Sequence, residues 1–231
     1  MEILDKNVKE ATQKKFNEEL EGEVTLIHFS QEPSRLILPD TVKGQECMFC
    51  KETKSLISEV ASLSSKINLE IYDFLADEDK AAEFGIDKIP ATVVIGEKKY
   101  QVRFFGIPSG YEYASLLEAI IDVSRGKTSL SPPTKEKLAV LKQPVHIQVF
   151  ITPTCPYCPL AVRLAHQAAI ESPLITGDMI EATEFPHLAQ KYNVTGVPKT
   201  IINDQEEVVG AVPESVFLEA LLEAASATTQ E

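Results

Sequence analysis

The chain has 231 residues, 44% of them hydrophobic, with 22 Lys and Arg against 35 Asp and Glu and a formal net charge of -13 at pH 7. That length holds one large domain or two small ones, and that hydrophobic content fills real cores. The acidity runs through both parts, 15 basic against 23 acidic residues in 1–126 and 7 against 12 in 127–231, which argues against a nucleic acid or an anionic membrane as partner, since those are bound mainly by Lys and Arg.

The opening stretch MEILDKNVKEATQKK carries charges where a secretory signal needs an apolar run. Nowhere do about 18 uncharged apolar residues follow one another, so the expected location is the cytoplasm. The first apolar run, VTLIHF, reads as a buried strand. After the stretch EPSRLILPDTVKG comes CMFC, Cys47 to Cys50, and then a segment whose Leu56, Ile57, Val60 and Leu63 share one helical face. INLEIYDF reads as a strand, a short acidic helix is expected near Asp77, and ATVVI and YQVRFF flank a GEKK turn. The helix SGYEYASLLEAIIDVSRG closes this part. The linker RGKTSLSPPTKEK is the expected boundary between residues 1–126 and 127–231, with Pro132 and Pro133 placed to open a helix.

The same order then recurs. VHIQVF is followed by CPYC, Cys155 to Cys158, and by a helix with Leu160, Ala161, Leu164, Ala165 and Ala168 on one face. LITGDMIEA reads as a strand, a short helix is expected near Thr183, KTIIN and EEVVGA flank a DQ turn, and PESVFLEALLEAASA ends the unit as a helix. The repeat keeps register: Cys47 to Cys155, Phe84 to Tyr192 and Pro90 to Pro198 are each offset by 108. The register breaks ahead of the cysteines, where the first unit carries an insertion, and again after the prolines, where Gly106 follows Pro90 by 16 and Gly210 follows Pro198 by 12.

Those four cysteines are the only ones in the chain. A CxxC where a strand gives way to a helix meets unsatisfied amide groups and the positive end of the helix dipole, which favour a thiolate on the first cysteine. A thiolate is the species that attacks a disulfide, so Cys47 and Cys155 read as nucleophiles and Cys50 and Cys158 as the resolving partners. Zinc is the alternative use of such pairs, but zinc ribbons place roughly 15–20 residues between them, and 104 intervene here. A purely structural staple gains little from so short a loop. From Gln143 to Val162 there is no charged side chain, whereas Lys43, Glu46, Lys51 and Glu52 surround Cys47. Within the pairs, Met48 and Phe49 stand where Pro156 and Tyr157 stand in the second unit, so the two sites are expected to be tuned unequally. Ile89-Pro90 and Val197-Pro198 share one spacing from the leading cysteine, and a cis bond at each is expected to bring backbone beside the thiols.

A strand, a CxxC before a helix, and an apolar residue before proline some 40 residues on together resemble the thioredoxin and glutaredoxin fold, and CPYC resembles the glutaredoxin signature. Two such units in one chain resemble the protein disulfide oxidoreductases of hyperthermophiles. The resemblance implies an α/β protein of two tandem thioredoxin-fold units, each a central mixed sheet flanked by helices, the first thioredoxin-like and the second glutaredoxin-like. It implies reversible exchange with protein or peptide disulfides and dithiols, using redox-active disulfides and no other cofactor. Ile89, Pro90, Val197 and Pro198 would meet an extended substrate, and a thioredoxin-reductase-like flavoprotein would supply electrons. Two departures stand out: there is no Trp, and the buried acid expected on the strand before the cysteines is replaced by His28 and Val149. His28 reads as a satisfied core histidine, with a titrating role as the alternative. Lys199, directly after Pro198, reads as a solvated surface lysine, with a place close to the second site as the alternative, and His146, His166 and His187 show no ligand spacing. The competing functions are a tandem-thioredoxin electron carrier to a peroxiredoxin, for which the chain lacks a GxGxxG flavoprotein fingerprint, a zinc-stabilised interaction protein, and a peptide-binding holdase with incidental thiols.

Overall fold

The structure, a computed structural model, describes residues 2–31 and 47–227. The insertion EPSRLILPDTVKG, with Lys43 and Glu46, lies outside them. In chain order the described elements are α1 (Lys6–Glu19), β1 (Val24–Ser30), α2 (Cys50–Ser62), β2 (Ile67–Asp73), α3 (Glu78–Glu83), β3 (Ala91–Ile95), β4 (Val102–Phe105) and α4 (Glu112–Arg125). They continue with α5 (Pro132–Ala139), β5 (Val145–Ile151), α6 (Cys158–Glu171), β6 (Ile175–Glu181), α7 (Pro186–Lys191), β7 (Lys199–Ile202), β8 (Glu206–Val209) and α8 (Glu214–Ala227). Pro132 and Pro133 occupy the first helical positions of α5, where a missing N–H costs nothing. Gly126 ends α4 in the left-handed conformation that glycine adopts without strain.

The strands form one sheet in the order β2-β1-β3-β4-β6-β5-β7-β8. Each unit contributes four. In both, the first two strands, β1·β2 or β5·β6, pair in parallel and the remaining pairings within the unit are antiparallel. Expected as two separate sheets, they are fused, because β4 and β6 pair in parallel and so satisfy two rows of backbone groups that would otherwise be bare edges. All four residues of β4 are buried.

Alternation along the strands divides the core in two. Leu26, Val94, Phe104, Val149 and Met179 face a layer containing α1, α2, α4, α6 and α8. Ile27, Phe29, Val93, Phe105, Phe150, Ile180 and Ile201 face the short helices α3 and α7, packed by Phe84 and Phe185. The expected helical face of α2 is buried at Leu56, Ile57 and Val60. That of α6 is shifted: Ala161, Ala165 and Ala168 are buried and Val162 joins them, while Leu160 is exposed. The second short helix opens at Pro186, three residues later than Thr183, because Thr183 hydroxyl and Glu184 N–H are both taken by Glu181 Oε2.

One polar cluster spans the join. Arg103 on β4 lies opposite Asp178 on β6 and grips it twice, Nε to Oδ1 at 2.7 Å and Nη2 to Oδ2 at 2.8 Å. His146 Nε2 lies 2.6 Å from Asp178 Oδ2, and Arg103 Nη1 donates to the Gly85 carbonyl at 2.7 Å. Burial alone would raise the Asp178 pKa, but His146 and the Arg103 guanidinium overcome it and hold the carboxyl at about 2. A depressed carboxyl pKa stabilises the fold above the unfolded value and ceases to as pH falls through the folded one. Asp178→Ala, which strands a buried guanidinium, should therefore cost about 3–5 kcal/mol at pH 7. In urea unfolding the gap from wild type should narrow between about pH 4 and pH 2.

Candidate functional site

The two CxxC pairs sit at the same place in each unit, after the central strand β1 or β5 and at the start of a helix. Cys47 is joined to Cys50, and Cys155 to Cys158, with Cα atoms 5.5 Å apart in both. The helices begin at the second cysteine, not the first, so Cys47 and Cys155 lie just ahead of α2 and α6. In the second unit the Cys158 N–H donates to Cys155 Sγ at 3.1 Å, and Val197 carbonyl oxygen lies 3.7 Å from the same sulfur. An amide of the first helical turn aimed at the sulfur stabilises negative charge there. Cys50 and Cys158 are buried and Cys47 is half-buried.

Ile89-Pro90 and Val197-Pro198 are both cis. β3 and β7 begin at the next residue, and the carbonyls of Pro90 and Pro198 accept the N–H of Gly106 and Gly210 at 2.9 and 2.8 Å. Each proline is thus anchored to its hairpin, and in the second unit the preceding residue, Val197, has its carbonyl beside Cys155. Met48 is 71% exposed and Tyr157 65%, and with half-buried Phe49 beside the one and exposed Pro156 beside the other they give each pair its own exposed apolar side chains. Leu160, one turn on from Tyr157, adds another in the second unit.

The groups beneath the two sites differ. Under the first, His28 on β1 is fully buried, its Nδ1 3.0 Å from Thr92 Oγ1, while Nε2 meets no partner among the described residues. Burial pushes its pKa down to about 4, opposed by a backbone hydrogen bond with Ala91 and reinforced by the Lys54 ammonium. The strand register makes Val149 its counterpart in the second unit.

Near the second pair stands a residue the sequence did not single out. Glu112, in the first turn of α4, has no exposed surface, and neither carboxylate oxygen meets a hydrogen-bond partner among the described residues. Helices α4 and α6 lie side by side with a constant offset: Arg163 Nη1 meets Glu118 Oε2 at 2.6 Å and Gln167 Nε2 donates to Asp122 Oδ2 at 2.9 Å. That offset sets Glu112 and Tyr113 level with Tyr157 and Cys158. Tyr111 N–H donates to the Pro153 carbonyl at 3.0 Å, and Gly110 has φ +61° where a Cβ would strike that carbonyl. The first unit therefore brings a buried carboxyl close to the start of α6, one residue beyond the Tyr111–Pro153 contact. Burial raises the Glu112 pKa to about 7, with the Ser115 hydroxyl opposing. A sequence signal existed: Glu112 shares the helical face of Leu116, Ala119, Ile120 and Val123, all buried. An acidic first turn is such ordinary helix chemistry that it hides a buried one.

Lys199 is not the solvated lysine expected. It is buried, and its ammonium donates to the Tyr192 carbonyl at 2.7 Å and pairs with Glu207 at 2.9 Å. The four cysteines are consumed by the two disulfides, and among the described residues no three His, Cys, Asp or Glu side chains are grouped to hold a metal ion. No helix among the described residues is long and apolar enough to cross a membrane.

A thioredoxin-domain family model matches residues 145–223. The solved protein disulfide oxidoreductase of Aeropyrum pernix is 31% identical, with a TM-score of 0.87 over 98% of this chain and 96% of that one. The chain belongs to the protein disulfide oxidoreductase family. Another similar structure is the alkyl hydroperoxide reductase AhpF of Enterococcus faecalis, 26% identical with a TM-score of 0.82 over 95% of this chain and 100% of that one. Among curated proteins, a Bacillus subtilis NADH dehydrogenase is 27% identical over 155 residues, which are 67% of this chain and 28% of that protein. The chain thus spans little more than a quarter of the length of such relatives. In this member of the protein disulfide oxidoreductase family, burial ranks the thiols once both sites are reduced: alkylation of the folded protein should label Cys47 first, Cys155 next, and Cys50 and Cys158 last. Peptide mass spectrometry reads that order directly, and faster labelling of Cys158 than of Cys155 would contradict it.

Proposed function

We propose that this chain is a two-site thiol–disulfide oxidoreductase acting on protein or peptide dithiols and disulfides. Residues 1–126 carry Cys47 and Cys50, and residues 127–231 carry Cys155 and Cys158. The observation that supports this most is the setting of Cys155, whose sulfur receives a helix-start amide and lies against the Val197 carbonyl. Ile89, Pro90, Val197 and Pro198 are the residues we assign to an extended substrate, with Met48, Phe49, Pro156 and Tyr157 tuning the pairs. We place the protein in the cytoplasm, with a thioredoxin-reductase-like flavoprotein as electron partner.

In the oxidising direction a substrate thiolate attacks Cys155 Sγ. The Cys155–Cys158 bond breaks and its electron pair goes to Cys158 Sγ, which takes a proton from Glu112. A second substrate thiolate then attacks the substrate sulfur of the mixed disulfide, forming the substrate disulfide and releasing Cys155 as a thiolate. Run backwards, the same steps reduce a disulfide, with Glu112 accepting the Cys158 proton. A carboxyl with a pKa near ambient pH serves both directions. In the first unit His28 stays neutral above about pH 4, so it is a poor proton acceptor as well as a poor donor near neutrality.

A second assignment is favoured by the likeness to the Enterococcus faecalis reductase: electron transfer to a peroxiredoxin partner by the same thiols. The two uses separate in assay. Reduction of insulin disulfides by dithiothreitol should be accelerated by wild type and lost when Cys47 and Cys155 are both Ser, whereas a carrier devoted to a peroxiredoxin would leave insulin untouched. Glu112→Gln should slow oxidation through the second site about tenfold or more near pH 7. It should also remove an inflection near that pH, with turnover in a Cys155→Ser/Cys158→Ser background unaffected. An unchanged inflection would remove Glu112 from the proton transfer.

A further inference from the structure

The join between the units is made from two strand edges, and the chain carries the same two edges again. By the repeat offset, β6 corresponds to β2: Ile175 pairs with Val145 as Ile67 pairs with Val24. Likewise β8 corresponds to β4, since Val209 pairs with Lys199 as Phe105 pairs with Ala91. β8 and β2 are the two ends of the sheet. A second copy laid with its β2 along β8 would repeat the internal join. Such a contact is head to tail, so it would not stop at a two-fold dimer but add further copies into a ring or an open chain.

The internal register sets Val102 opposite Gly177, Arg103 opposite Asp178, Phe104 opposite Met179 and Phe105 opposite Ile180. Transposed to the free edges, Glu206 would face Leu69, Glu207 would face Glu70, Val208 would face Ile71 and Val209 would face Tyr72. Where the internal join has its buried ion pair, the external one would have two glutamates. Like charges directly opposite across two strands oppose pairing. Apolar surface alone would not prevent it, because Val209 is 68% exposed on one edge and Ile71 40% on the other, and exposed edges of that kind invite a further strand. Lys199 offers no remedy, since its ammonium is already held by the Tyr192 carbonyl and by Glu207 of its own copy.

We propose that β8 and β2 form a latent head-to-tail interface for a second copy of this chain, held open by Glu207 facing Glu70. Sedimentation velocity on the full chain from micromolar to near-millimolar concentration tests it. Wild type should stay monomeric throughout. Glu70→Arg, which restores opposite charges at the position of Arg103 and Asp178, should give a mass that rises with concentration beyond that of a dimer. Adding Glu207→Arg should return the protein to monomer. A Glu70→Arg protein that stays monomeric overturns the proposal, and so does a double variant that assembles as readily as the single one. If Glu70→Arg loses the far-UV circular dichroism of wild type, Glu207→Lys places the cation on the other edge and carries the same expectations.

Discussion

Much of the molecule depends on the parallel pairing of β4 with β6. Edge strands of two units give up their bare backbone groups to each other, and Arg103 closing on Asp178 fixes the register in which they do so. A one-residue slip would turn Phe104 and Met179 out of the core and separate the ion pair. The chain leaving β4 is thereby delivered to the second unit: Ile107 N–H donates to Glu184 Oε1 at 2.6 Å, and Tyr111 N–H reaches Pro153, two residues before Cys155. Glu112 follows in the next position. The buried carboxyl behind the second site is thus a product of the join.

The fusion also explains why two units with one repeated pattern are not chemically alike. The post-β4 loop has a neighbouring unit to pack on, and Gly106 sits where a Cβ would strike Glu181 and Glu184. Its counterpart Gly210, after the edge strand β8, has nothing within 4 Å. The first unit buries a neutral imidazole on β1, paired with Thr92, and near the second pair lies a carboxyl whose pKa burial lifts to about 7. Unequal proton handling, together with Met48 and Phe49 in place of Pro156 and Tyr157, gives the two dithiols separate grounds for unequal potentials.

The elements and their order were legible in the sequence because buried strands and amphipathic helices announce themselves by period, and the offset of 108 made each unit a check on the other. The cysteines and the cis prolines were legible for the same reason. What escaped were features created by contact between distant segments. Nothing local in YQVRFF says that Arg103 will meet an aspartate 75 residues away, and Lys199 looks like surface until the register brings Glu207 beside it. Leu160 fits the periodic face of α6 by spacing, yet the helix is rotated so that Val162 takes the buried place, which leaves Leu160 exposed.

The most direct test of the central claim, that both pairs are redox catalysts, is a separate redox titration of each in the native protein, with alkylation and peptide mass spectrometry reading Cys47–Cys50 and Cys155–Cys158 independently. The account predicts that both titrate reversibly in the folded state, at different potentials within the span of roughly -120 to -300 mV occupied by catalytic dithiols. A pair that yields to reductant only after denaturation would be a structural disulfide, and would contradict the claim for that site.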